Sequence, residues 1–157
     1  MEIIDETPRT GGCQCGAVRF EATAILDNAH VCHCRMCQRA TGNFFQPLVG
    51  VPLDRLAWTA GEPATFRSSE QVDRGFCRDC GTPLFYRYLP GGHVSLNIGT
   101  FDDPDAEPLL IREECGLEAR LAQIDRLGSL PTTRTEEDMP EEAARIRASS
   151  NQWRPEV

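Results

Sequence analysis

Lysine is absent from this 157-residue sequence, in which all 16 basic residues are arginine. Nucleotide bias in the source genome explains such a composition without any functional reason. One route of catalysis is closed in either case, because the chain has no ε-amino group that could form a Schiff base with a carbonyl substrate.

Long apolar runs and an excess of positive charge are absent as well. No stretch approaches the roughly 20 apolar residues that a membrane-spanning helix needs, and the first ten residues, MEIIDETPRT, do not resemble a signal peptide. The formal net charge is -8, which argues against binding to nucleic acid or to an anionic membrane, because both require a basic surface. We therefore expect a soluble, cytoplasmic protein that binds neither.

Cysteine, in contrast, is plentiful and clustered. Seven of the eight cysteines fall in three short segments, CQC at 13–15, CHCRMC at 32–37 and CRDC at 77–80, and Cys115 stands alone. Cysteines two or three residues apart are poorly placed for structural disulfides but are well spaced for binding a metal ion. The pattern therefore favours metal sites over disulfides.

The first and third segments form a natural set of four ligands. GGCQCG and FCRDCG each offer two thiols beside glycine, which allows the tight turns that direct both sulfurs at one point. Together Cys13, Cys15, Cys77 and Cys80 predict a closed tetrahedral zinc site with a structural role. The alternative is that these are buried thiols acting as small apolar residues.

The middle segment supplies three thiols, one fewer than a closed site requires. Cys32, Cys34 and Cys37, called here the tripod, match the three protein ligands of a catalytic zinc, whose remaining position is open to water or substrate. A redox group, in which two of these thiols form a labile disulfide, is a further alternative.

Four residues are candidates for a fourth protein ligand of the tripod. His33 lies between two tripod cysteines and is expected to point away, and His30 and His93 are expected to be ordinary strand or loop residues. Cys115 is the serious candidate, because a fourth thiolate would close the site and make it inert.

The polar and apolar pattern predicts an all-β sandwich or a related open arrangement. AVRFEATA at 17–24 alternates as a half-buried strand does, and further short strand-like runs are separated by Gly, Pro and Asp. Residues 1–10 are expected to be a polar lead-in. RMCQRATG predicts a short helix ending at Gly42, and TEEDMPEEAARIRASS at 135–150 predicts a surface helix or tail.

Three segments in fixed order, GGCQCGAVRFE, CHCRMCQRATG and GFCRDCGTPLFY, together with NIGTFDDP, resemble one known family. This is the family of glutathione-dependent formaldehyde-activating enzymes, which also includes the centromere protein V domain. The resemblance covers about residues 10–135, which gives a lead-in at 1–10, a zinc domain at 11–135 and a C-terminal helix or tail at 136–157. It implies a β-tent fold of antiparallel sheets built around a structural zinc.

The resemblance also implies a mechanism. The four-cysteine set would hold the structural zinc, and the tripod would hold a second zinc whose open position receives the thiol of glutathione. A zinc-bound thiol is deprotonated, and its attack on formaldehyde would give S-hydroxymethylglutathione, the reaction of a carbon–sulfur lyase run in the synthetic direction. Arg35 and Arg39, beside the tripod, are the candidates for the two carboxylates of glutathione.

The resemblance weakens towards the C-terminus. Family members often have a histidine and then a tryptophan in the segment that reads EPLLIREECGLEARLAQIDRLGSLP here, and neither residue is present at the matching positions. The natural substrates are therefore expected to include another thiol or another small aldehyde. The alternative function is a non-catalytic, zinc-stabilised binding module in which Cys115 closes the second site.

Overall fold

The structure is a computed structural model and describes residues 1–155. Twelve β-strands account for most of the regular structure in that range. They are β1 Ile3–Asp5, β2 Arg9–Gly12, β3 Arg19–Ala22, β4 Ile25–Leu26, β5 His30–Cys32, β6 Gln46–Pro52, β7 Leu56–Ala60, β8 Ala64–Ser69, β9 Val72–Phe76, β10 Pro83–Tyr88, β11 His93–Asn97 and β12 Glu113–Cys115.

The strands form three sheets, which confirms the all-β class. The largest has seven strands in the order β12-β5-β6-β11-β10-β9-β8, a second has the order β2-β3-β7, and β1 pairs with β4. All pairings are antiparallel except that of β12 with β5, which is parallel. The one parallel pair lies at the edge of the large sheet, where β12 places Cys115 beside Cys32.

The core between the sheets is built around Phe20. This residue is fully buried, and its ring makes edge-to-face contacts with Phe101, at 5.2 Å between ring centres, and with Trp58, at 6.0 Å. On the opposite face of β3, Arg19 and Glu21 remain partly exposed, as the alternation of AVRFEATA predicts. Burying one such aromatic side chain stabilises the fold by about 2–3 kcal/mol, and this core supports the turns that carry the first cysteine pair.

Close approach of the backbone to Phe20 explains one of the two glycines before the first cysteine. A Cβ atom on Gly11 would lie only 2.3 Å from Cζ of Phe20 and 2.4 Å from the carbonyl oxygen of Thr100. Only glycine fits there without movement of the backbone, so Gly11 is required by packing.

The short helix is confirmed. Helix α1, Arg35–Thr41, begins at Cys34 as N-cap and ends at Gly42, whose φ of 65° is the left-handed conformation that glycine adopts at helix ends. The predicted C-terminal helix is in fact two exposed helices, α2 at Thr135–Asp138 and α3 at Pro140–Ser149. They separate at Met139 because Pro140 has no N–H to continue a helix but fits the first position of a new one.

Two segments contain strands that the sequence pattern does not indicate. Residues 1–10, expected to be a polar lead-in, contain β1 and the start of β2. Strand β9, VDRGF, was not predicted, because Asp and Gly are depleted in strands and weaken the pattern. No helix of residues 1–155 is long and apolar enough to cross a membrane.

The last described residues return to the first cysteine turn. The backbone N–H of Trp153 donates to the carbonyl of Gln14, and its indole packs so closely on Gly16 that a Cβ there would lie 2.2 Å from the ring. The guanidinium carbon of Arg19 lies 3.6 Å from the centre of the indole ring, which is cation–π geometry. The C-terminal segment is therefore fastened over the Cys13–Gly16 turn.

Candidate metal centres

Two turns of the same design carry the four-cysteine set. Cys13 and Cys15 lie in the turn between β2 and β3, and Gly16 follows with φ of 80° and an N–H that donates to the carbonyl of Cys13 at 3.1 Å. A left-handed residue directly after the second cysteine allows the chain to fold back over its own sulfurs, and glycine adopts this conformation at little cost.

The second turn repeats this arrangement between β9 and β10. Gly81 has φ of 80°, and its N–H donates to the carbonyl of Cys77 at 2.8 Å. A hydrogen bond of 3.0 Å from the N–H of Gln14 to Oγ1 of Thr82 joins the two turns. The three-stranded and seven-stranded sheets are therefore connected at their cysteine-bearing turns.

The sulfur positions fit a tetrahedral zinc ion. All four Sγ atoms lie within 4.8 Å of one another, with 3.6 Å between Cys13 and Cys15 and 3.9 Å between Cys15 and Cys77. A Zn–S distance of about 2.3 Å in tetrahedral geometry places the sulfurs about 3.8 Å apart. The N–H of Val18 also donates to Sγ of Cys13 at 3.2 Å.

The four thiols of this set do not ionise with equal ease. Burial opposes ionisation of Cys80, but hydrogen bonds from Thr82 and nearby backbone lower its pKa to about 6. The N–H of Ala17 favours the thiolate of Cys15, yet burial and the neighbouring cysteines raise its pKa to about 12. One thiolate thus suppresses the next, and a divalent cation is the group that allows all four to be ionised together.

The tripod is assembled by the end of a strand and the start of a helix. Cys32 is the last residue of β5, Cys34 is the N-cap of α1, and Cys37 lies in the first turn of that helix. The three Sγ atoms lie within 4.8 Å of one another, and the N–H of Cys37 donates to Sγ of Cys34 at 3.4 Å. Cys37 is buried whereas Cys32 and Cys34 are half-buried, so solvent reaches the cluster from the side of Cys32 and Cys34.

The tripod also favours a thiolate at one position. A hydrogen bond from the Cys37 thiol, opposed by burial and helped by the N–H of Cys34, lowers the pKa of Cys32 to about 4. The same interaction with Cys32, together with burial, raises the pKa of Cys37, and Arg74 acts in the opposite direction. Three sulfurs with one ionised thiol and room for a fourth ligand suit a soft divalent metal such as zinc.

Arg74, on β9, is a site residue that the sequence did not reveal. Its side chain is 3% exposed, and it donates from Nη2 to Sγ of Cys37 at 3.4 Å. Its other hydrogen bonds go to Oε1 of Gln46 at 2.6 Å and to Oγ of Ser68 at 3.0 Å. A single arginine in an unrecognised strand carries no signal in sequence, because its role depends on residues that lie far away in the chain.

The two arginines that the sequence predicts as substrate ligands lie at the surface, unlike the buried Arg74. Arg35 and Arg39 are both exposed on α1. Arg35 donates from Nη1 to Oε1 of Gln38, and no hydrogen bond to a tripod sulfur from either arginine is found within residues 1–155. They are therefore available at the surface beside the tripod, and their assignment to a substrate stays a prediction.

The candidate fourth ligands are separated by the fold. His33 is buried and directs Nε2 to Glu114 at 3.3 Å, and Nδ1 of His30 is 2.6 Å from the carbonyl oxygen of Asn28. Neither these histidines nor His93 joins the sulfur cluster in the described part of the chain. Cys115 faces Cys32 in register across β12 and β5, and their thiols interact, but Cys115 lies outside the group of three.

A cavity of about 270 Å³ lies beside Arg74. Its lining includes the aromatic residues Phe66, Phe76 and Phe85, and it reaches Ala40 on α1 and Gln46 on β6. Arg74 lines this cavity and also contacts Cys37. A mostly apolar cavity with two polar groups has the character of a site for a small organic molecule.

Comparison with known proteins agrees with the three cysteine motifs. The profile of the family described as "Glutathione-dependent formaldehyde-activating enzyme" matches residues 8–112. A protein of Phaeosphaeria nodorum, named provisionally as a glutathione-dependent formaldehyde-activating enzyme, is 34% identical over 81 residues, which are 49% of this chain and 43% of that protein. The chain thus spans less than half the length of that relative. The match to the family ends before Cys115.

The fold also recurs in a solved structure. The crystal structure of a Rhodobacter sphaeroides protein matches with a TM-score of 0.55 and 21% sequence identity, covering 67% of this chain and 98% of that one. At this identity the likeness concerns the fold alone.

Proposed function

Because this chain belongs to the glutathione-dependent formaldehyde-activating enzyme family, we propose that it is a zinc enzyme that condenses a small aldehyde with glutathione or a similar thiol. The observation that carries the proposal is the contrast between its two cysteine clusters. One cluster has four sulfurs and joins two sheets, and the other has three sulfurs of which two are half-buried. A closed site and a site with a free position are the usual forms of structural and catalytic zinc.

Three parts of the site have separate roles in the proposed reaction. Cys32, Cys34 and Cys37 would hold the zinc, which when bound would keep the substrate thiol ionised at neutral pH. Arg35 and Arg39 are exposed on the helix that carries two of these ligands, and they bind the carboxylates of glutathione. The apolar cavity beside Arg74 would accept the alkyl substituent of an aldehyde larger than formaldehyde.

The overall reaction needs no oxidant, reductant or leaving group. The thiol sulfur forms a bond to the carbonyl carbon, the carbonyl π-bond opens, and the proton lost by the thiol ends on the former carbonyl oxygen. This addition is the synthetic direction of a carbon–sulfur lyase. The eight free cysteines suit a reducing compartment such as the cytoplasm.

The test is metal and thiol content, followed by turnover. Protein purified under reducing conditions is expected to hold two zinc ions per chain and to bind glutathione with one-to-one stoichiometry by calorimetry. Because thiols add to formaldehyde without a catalyst, turnover is measured by exchange NMR between formaldehyde and S-hydroxymethylglutathione. We expect exchange above the uncatalysed rate. The Cys34→Ser variant serves as the control. Two zinc ions with no thiol binding would contradict the proposal.

A second function is favoured by the position of Cys115 opposite Cys32. If Cys115 moves to complete the tripod, both zinc sites are closed and the protein is a zinc-stabilised binding module. The two functions differ in metal release. An open site is expected to lose zinc to a chelator well before the four-cysteine site, whereas two closed sites lose it together.

A further inference from the structure

Arg74 is a buried cation without a carboxylate partner among residues 1–155. None of the ion pairs in that range involves it, although the side chain is only 3% exposed. Gln46 and Ser68 accept hydrogen bonds from its guanidinium, and both are neutral. Burying a charge without a counter-charge is costly, so the environment of Arg74 calls for an anion.

When the tripod holds a divalent metal ion, its thiols are deprotonated, and the sulfur of Cys37 then supplies this anion. It accepts a hydrogen bond of 3.4 Å from Nη2 of Arg74, the distance of an N–H···S contact. Three thiolates and one divalent cation together carry a single net negative charge. Arg74 carries the single positive charge that balances it.

We infer that Arg74 is a positioning residue that balances the charge of the metal-loaded tripod and thereby allows a fourth, anionic sulfur to bind. The inference rests on the proposed function and concerns charge balance at the same site. Without Arg74, a fourth thiolate would bring the buried site to two net negative charges. With Arg74, the four-sulfur state carries only one.

Neighbouring side chains hold Arg74 in place. Gln46 accepts its Nη1 hydrogen bond at 2.6 Å, and Nε2 of Gln46 donates to Oδ1 of Asn97 at 2.9 Å. Nδ2 of Asn97 then donates to the carbonyl of Pro83 at 2.9 Å. Tyr86 adds a ring face 5.1 Å from the guanidinium carbon. Because Gln46 and Asn97 are themselves buried, the guanidinium has little freedom to turn away from Cys37.

The experiment compares three variants of the zinc-loaded protein. Arg74→Met removes the charge and the donor, Arg74→Lys keeps the charge, and Arg67→Met removes an exposed arginine from the adjacent strand β8 as a control. Glutathione affinity is measured by calorimetry. We expect Arg74→Met to weaken glutathione binding by about 10- to 100-fold, the size of effect that loss of an outer contact has on metal affinity or activity, with two zinc ions retained. Arg74→Lys should recover part of this loss, and Arg67→Met should match the parent.

A spectroscopic measurement isolates the contact with Cys37. In cobalt-loaded protein, loss of the hydrogen bond from Arg74 should move a sulfur-to-cobalt charge-transfer band to lower energy, because the sulfur holds its electrons less tightly. The four-cysteine site contributes equally to both spectra and cancels in their difference. Unchanged thiol affinity together with an unchanged band would overturn the inference.

Gln46→Glu keeps the inference testable if Arg74→Met does not fold. A carboxylate at this position takes the charge of Arg74 while the arginine stays in place, so thiol affinity should again fall, and unchanged affinity would overturn the inference. If the parent protein binds no thiol at all, the proposed function fails. In that case the cobalt band alone decides whether Arg74 acts on Cys37.

Discussion

Cys115 and Cys32 lie opposite each other in register across the parallel pair of β12 and β5. Their thiols interact, and the pKa of Cys115 is raised to about 12 by burial and by the neighbouring Cys32. Cys115 nevertheless stands outside the group of three sulfurs that lie within 4.8 Å of one another. The thiol best placed to close the tripod therefore lies beside the cluster and not within it.

The first prediction follows from this position. Cys115→Ser should leave two zinc ions per chain and change neither glutathione affinity nor the rate of chelation at the tripod, because three other sulfurs hold the metal. Zinc content and the kinetics of release to a chromogenic chelator measure this. Faster release from the tripod in this variant would instead identify Cys115 as its fourth ligand.

The second prediction concerns the unequal roles of the two clusters. Cys77→Ser should prevent folding or greatly lower the melting temperature, because a structural zinc contributes on the order of 10 kcal/mol to folding and this one joins two sheets. Cys34→Ser should keep the fold and lose thiol binding. Thermal unfolding followed by circular dichroism, with zinc content, distinguishes the two. Equal loss of stability in both variants would show that the tripod is structural too.

The third prediction addresses the C-terminal segment. Trp153→Ala should speed zinc release from the four-cysteine site, because the indole covers Gly16, which directly follows Cys15. The same change should lower the free energy of unfolding by about 1 kcal/mol. Glutathione binding at the tripod should not change. Chelation kinetics measure the effect, and Leu130→Ala, on an exposed residue of the preceding segment, is the control. Identical kinetics in the parent and in Trp153→Ala would contradict the covering role.

The fourth prediction is a dependence of stability on pH. Burial tends to raise the pKa of Asp102, but hydrogen bonds from Arg19 and Thr10 hold it below its ordinary value of 3.8. A carboxylate with a lowered pKa stabilises the fold above its unfolded pKa, and the effect is lost as the pH falls through the folded pKa. The side chain of Asp102 is 32% exposed, so the ion pair is worth about 1 kcal/mol.

Asp102→Asn provides the measurement. The difference in the free energy of urea unfolding between parent and variant should be present at pH 6 and should shrink below about pH 4. Use of the difference removes the general loss of zinc in acid, which affects both proteins. A difference that stays constant down to pH 3 would show that the pair does not titrate in this way.

The sequence predicted those features that depend on neighbouring residues. The cysteine motifs, the alternation around Phe20 and the short helix ending at Gly42 are local patterns, and the structure agrees with them. The role of Arg74 was not predicted, and the question of whether Cys115 is a fourth ligand was left open. Both depend on pairings between strands that are distant in the sequence. Arg74 contacts Cys37 and Gln46 only because β9 pairs within the large sheet. The strand signal of VDRGF is too weak to predict that pairing. The domain limits at 11–135 stay a prediction.

The separation of the cysteines along the chain sets the order in which the two clusters can form. The ligands of the tripod lie within six residues, whereas the sulfurs of Cys15 and Cys77 that meet in the four-cysteine site are 62 residues apart. A ribosome therefore releases the whole tripod long before it releases the second half of the other site, and closing the longer loop costs more chain entropy. The growing chain therefore exposes the complete three-cysteine cluster before the four-cysteine set, which joins the two sheets, can form.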